Sequence, residues 1–153
     1  MFLKLFLVVI ISFSALSKEL NVPLQFVQEL KLGNNLKAMG LKVSLNTETY
    51  RIIKSEVGDK KAKEILLIEL NKSINKYQKE WDKNLSSAYD EVFKDNELKS
   101  ILELKQKSPY AKKFIESQRK VGESMQNRSG DLLNKVVAEA IKNAFSKVVK
   151  KGS

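Results

Sequence analysis

The chain has 153 residues, 42% of them hydrophobic and 30% charged, with 28 lysines and arginines against 18 acidic residues for a formal net charge of +10. It contains no cysteine and no histidine. Disulfides, thiolate nucleophiles, thiolate or imidazole metal sites and every triad that needs a histidine base are therefore excluded.

Met1 to Ser17 reads as a secretory signal peptide: Lys4 precedes the apolar run Leu5 to Ile11, and Ala15-Leu16-Ser17 offers a small-residue cleavage site before Lys18. The apolar stretch is nearer to about 12 residues than to the roughly 20 that span a bilayer, so cleavage is favoured over anchoring. Removing 17 of the 153 residues leaves 18–153, a length suited to a single helical domain that rests on packing alone. Without Lys4 the balance is 27 basic against 18 acidic residues, or +9. Only Arg51, Arg119 and Arg128 carry the bidentate fork that suits phosphates and bases, which with export argues against nucleic acid. A solvated lysine surface is the plain reading of the charge; attraction to an anionic envelope surface or an acidic partner is the functional one.

Apolar residues then recur at three- and four-residue steps throughout, which predicts an all-α chain. Asn21-Val22-Pro23 starts a helix with Leu24, Phe26, Val27 and Leu30 on its buried face. Gly33 ends it, and Asn34 caps a second helix carrying Leu36, Met39 and Val43. Thr47 caps a further turn with Tyr50, Ile53 and Val57 before Gly58-Asp59. From about Lys60 to Phe93 the residues Leu67, Leu70, Ile74, Tyr77, Trp81, Leu85, Ala88 and Val92 form a continuous seam on a helix about 50 Å long. Its length requires neighbours alongside, hence an elongated bundle of about five or six helices. Asp95 caps the next helix, with Leu98, Ile101 and Leu102 inward, and Ser108-Pro109 restarts the chain. The last helical region carries Tyr110, Phe114, Val121 and Met125, then Leu132 to Val148, with a bend or break expected near Gly130.

Few residues point to chemistry. Ser108 lies among Lys105, Lys107, Lys112 and Lys113, but a helix cap explains the serine and a solvated turn the lysines. Asp90, Glu91, Asp95 and Glu97 concentrate carboxylates without the spacing or central glycine of a calcium loop. Tyr77 and Trp81 share the seam with leucines and belong to the core. No cofactor or metal is expected. In the segment Leu132 to Lys151, Lys135, Lys142, Lys147, Lys150 and Lys151 face only Glu139, and these lysines are the candidate contacts to a partner or membrane. Core packing is the favoured role of the apolar face between them.

Trp81, Leu85, Tyr89 and Phe93, then Glu97-Leu98, then Ser108-Pro109-Tyr110 and Phe114 resemble an uncharacterised bacterial family, the domain of unknown function numbered twenty fifty-nine. The resemblance implies a small, exported, helical protein and supplies no catalytic residue. The expectation is a non-enzymatic periplasmic protein that binds a protein or an envelope component, an inhibitor or immunity-type protein being one special case. The alternative is a module binding lipid or an anionic membrane surface, and the third reading a hydrolase of envelope polymers using Asp90, Glu91 or Glu97. Secretion is the alternative to periplasmic residence, and the oligomeric state stays open.

Overall fold

The computed structural model describes residues 21–149; the expected signal peptide and the candidate residues Lys150 and Lys151 lie outside the described residues. Within them the chain is all-α: α1 (Val22–Glu29), α2 (Asn35–Leu45), α3 (Glu48–Val57), α4 (Asp59–Asp90), α5 (Asp95–Leu104), α6 (Ala111–Glu116) and α7 (Gln118–Val149). Short 3-10 turns at Leu32–Asn34 and Lys105–Lys107 join α1 to α2 and follow α5. The described helices number seven because the last region divides at Ser117, between α6 and α7.

The frame is the pair α4 and α7, each 32 residues and thus about 48 Å long. Contacts between them run antiparallel from Glu69 to Glu91. Lys147 pairs with Glu69, Ser73 Oγ donates to the Val136 carbonyl at 3.0 Å, Asn84 Nδ2 donates to Ser129 Oγ at 2.9 Å, and Arg128 pairs with Glu91. The expected break near Gly130 is absent. α7 runs unbroken through Gly122 and Gly130, burying Leu132, Val136, Val137, Ala140, Ile141, Ala144 and Val148. Each larger aliphatic side chain buried contributes about 1.5–3 kcal/mol, more than the roughly 1 kcal/mol by which glycine weakens a helix.

Four helices, α1, α2, α3 and α7, pack on α4. That wide contact explains why α4 buries Ala62, Leu66 and Tyr89 as well as Leu70, Ile74, Trp81, Leu85 and Ala88, whereas Leu67, Tyr77 and Val92 of the expected seam are only half-buried. The buried face of α2 also differs from expectation: it is Leu36, Gly40 and Ser44, with Met39 42% and Val43 37% exposed. Small side chains set this face, since a Cβ on Gly40 would stand 3.1 Å from Leu70 Cδ1. α2 therefore lies close against α4, and its larger residues turn outward.

Local start signals explain most helix boundaries. Asn21 Oδ1 accepts from the Leu24 N–H at 2.9 Å, and Thr47 Oγ1 accepts from the Tyr50 N–H at 3.2 Å. Ser108 Oγ accepts from the Tyr110 N–H at 3.2 Å and shares a hydrogen bond with Ser100 Oγ. Three expected helix-end residues do not play that part. Lys31, not Gly33, takes the left-handed turn after α1 (φ 53°), and Asn34 makes no side-chain cap. Gly33 instead lets Asp82 and Gln78 lie close against the backbone: a Cβ there would fall 1.8 Å from Asp82 Oδ1 and displace that side chain. At α5 the cap position is Lys94 rather than Asp95, and the Glu97 carboxylate accepts the Lys94 N–H at 2.8 Å.

At the end of the bundle where α4 stops, Phe26, Tyr89 and Phe114 pack ring to ring. Phe26 meets Tyr89 edge-on at 5.2 Å and Phe114 at 5.8 Å, while Tyr89 and Phe114 stack at 6.0 Å. This cluster ties α1 and α6 to the end of α4.

Candidate functional site

α2, at 11 residues, is too short to cover the 32-residue pair beneath it. Beyond its N-terminal end, α4 between Trp81 and Tyr89 and α7 between Gln118 and Asn134 frame a groove of about 690 Å³. Trp81, Leu85 and Tyr89 come from α4, and Leu32, Asn35 and Met39 form the opposite wall.

α7 contributes two neighbouring rows, each stepping four residues and so about 6 Å along the helix. One is Val121, Met125, Ser129 and Leu133, largely buried; the other is Gln118, Gly122, Gln126, Gly130 and Asn134, largely exposed. The second row alternates amide and glycine along the rim.

No charged residue lines this groove, although 30% of the chain is charged. The one titratable group is Tyr89, whose phenol burial pushes above its ordinary pKa of 10.0 against the weaker downward pull of Gln118. It stays neutral in the physiological range. Trp81 is 2% exposed and donates its Nε1–H to Asn35 Oδ1 at 2.8 Å. Gln118 accepts from the Tyr89 hydroxyl at 3.4 Å and donates to the Phe114 carbonyl at 2.7 Å. Gln126 and Asn134 are exposed and make no side-chain hydrogen bond among the described residues.

The two glycines have no internal justification. Neither takes a positive φ, and a Cβ on either would meet nothing within 4 Å. Each nonetheless weakens α7 by about 1 kcal/mol relative to alanine. Both line the groove, so no side chain projects into it from these two positions.

The lysines singled out by sequence lie elsewhere. Lys147 binds Glu69, which α4 holds at 3% exposure, and Lys135 Nζ stands 4.9 Å from the centroid of the Tyr77 ring. Lys142 is exposed, with no ion pair among the described residues. Lys135 and Lys142, seven residues apart, share a face of α7, while Lys147 is turned roughly 120–140° from them at about 100° per residue. None of the three lines the groove.

The carboxylate concentration separates as well. Glu91 pairs with Arg128, and Glu97 binds Lys113 through both oxygens, at 2.9 and 2.7 Å. Those cations hold both carboxyls below the ordinary glutamate pKa of 4.5. Among the described residues no group of three or more acidic side chains is placed to hold a metal ion. The contact of Lys113 with Glu97 also leaves Ser108 with hydroxyl and backbone partners rather than a lysine.

Sequence reasoning missed the groove. Its signal was present as two glycines eight residues apart in a helical segment, set between Gln118, Gln126 and Asn134. With a bend or break expected near Gly130, that spacing gave no hint of a wall. No helix among the described residues is long and apolar enough to cross a membrane. No family model matches the chain, and comparison with curated proteins and with solved structures finds none that matches.

Proposed function

We propose that this chain is a non-enzymatic, exported binding protein that holds an apolar component of the bacterial envelope in the groove between α4 and α7. The observation that carries the reading is the uncharged groove whose wall is kept open by Gly122 and Gly130 at the expense of helix stability. Apolar pockets with a few polar groups, of about 300–1,000 Å³, are the usual form of a small-ligand site.

The groove-filling variant Gly122→Leu/Gly130→Leu tests it, with N-phenylnaphthylamine as a fluorescent apolar probe. Wild type is expected to bind the probe and the variant to bind it at least about tenfold more weakly. Leucine is the better helix former by nearly 1 kcal/mol per site, so the variant should not lose stability in urea. Equal probe affinity in the two proteins would remove the groove as the site. The signal-peptide pattern supports the envelope location, and N-terminal sequencing of the exported protein is expected to begin at Lys18. A mature chain still starting at Met1 would contradict export with cleavage.

A further inference from the structure

Resting on that reading, we infer that the groove takes a single-chain amphiphile whose head is uncharged and hydrogen-bonding, and discriminates against anionic heads. Charge is the first argument. Lysine is abundant in this chain, with a formal net charge of +10, yet no cation lines the groove. An anionic head docked at the rim would gain no counter-ion from the groove lining, whereas an uncharged head gives up less hydration for the same hydrogen bonds.

The rim supplies what a neutral head needs. Gln126 and Asn134 each offer a carbonyl acceptor and two N–H donors, without side-chain partners among the described residues. Hydroxyl and amide heads both donate and accept, so they match such a rim.

The floor supplies what one acyl chain needs. From Gln118 to Asn134 the α7 wall runs for 16 steps, about 24 Å. Met39 and Met125 face the groove with flexible thioethers that conform to a chain of variable shape. An extended peptide is the poorer occupant. Helical walls present no free backbone edge, so its own N–H and C=O groups would lie unpaired on the apolar floor.

Displacement of N-phenylnaphthylamine by monopalmitoylglycerol and by palmitate separates the possibilities, with both lipids below their micelle concentrations and at about pH 8, where a carboxyl is ionised. Monopalmitoylglycerol is expected to compete at least about tenfold more tightly than palmitate. Gln126→Leu/Asn134→Leu is expected to weaken monopalmitoylglycerol severalfold more than it weakens the probe, and an equal loss for the two would contradict the rim contacts. Palmitate competing as well as or better than monopalmitoylglycerol would overturn the neutral-head assignment while leaving the groove as a binding site. Failure of both lipids to displace a probe that binds wild type, but not the Gly122→Leu/Gly130→Leu variant, would overturn the amphiphile assignment alone. Absence of probe binding to wild type would overturn both proposals.

Discussion

Replacing Trp81 with alanine is expected to lower the unfolding free energy by about 3–5 kcal/mol, the range for deleting a large buried aromatic side chain. Trp81 is 2% exposed on α4 at the level where the start of α2 meets the pair of long helices. Its removal leaves a cavity that three helices cannot close without moving. Its hydrogen bond contributes the smaller share, because Asn35 is exposed and regains water when the indole N–H is lost. Trp81→Phe, which keeps most of the apolar area and loses the donor, should therefore cost less than half as much. Urea midpoints at constant slope measure both changes. A loss below about 1 kcal/mol for Trp81→Ala would contradict the packing described here.

Trp81 also marks what a sequence makes legible. It belongs to a run of apolar residues at helical spacing, and such a run identifies a long buried helix wherever its partners come from. The caps at Asn21 and Thr47 were legible for a similar reason, since cap and helix are within three residues of each other. The face of α2 was not. Met39 and Val43 are the larger apolar residues, but close approach to Leu70 selects Gly40, and only the fold reveals that neighbour. Gly130 was misread in the opposite direction, because the packing that carries α7 through it comes from α4, far away in sequence.

The groove was harder still to read, being defined by where a helix is missing. Its floor residues follow the same spacing as the rest of the core. Its existence depends on the shortness of α2 relative to α4 and α7 and on the antiparallel register between those two. The lysines of α7 illustrate the same limit for charge: Lys147 meets Glu69 across 78 positions, a pairing no local pattern announces.

That pairing carries the second large effect. Glu69 sits on the buried side of α4 at 3% exposure and accepts from both Lys147 and Lys72. Burial pushes its carboxyl up, but the hydrogen bonds from the two ammonium groups outweigh burial and hold its pKa below the ordinary 4.5. Replacing Glu69 with alanine is expected to destabilise the fold by about 2 kcal/mol at neutral pH. The loss falls short of the 3–5 kcal/mol typical of breaking a fully buried pair, since both lysine side chains are about half exposed and can rehydrate.

The pH dependence follows from the sign of the shift. Above pH 4.5 the carboxyl is ionised in both folded and unfolded chains, and its contribution is present in full. As pH falls below that value the unfolded chain takes up the proton first, so stability declines until the folded-state pKa is passed. Glu69→Gln should therefore differ most from wild type near neutrality, with the difference shrinking as pH falls through the depressed pKa. Asp59, Glu91, Glu97 and Glu139 are shifted in the same direction by neighbouring cations, so wild type as a whole should weaken in acid. Urea titrations of wild type and Glu69→Gln from about pH 7 to about pH 3 measure both trends. A gap between the two proteins that stayed constant over that range would mean that the buried carboxylate stabilises the fold by its shape rather than by its charge.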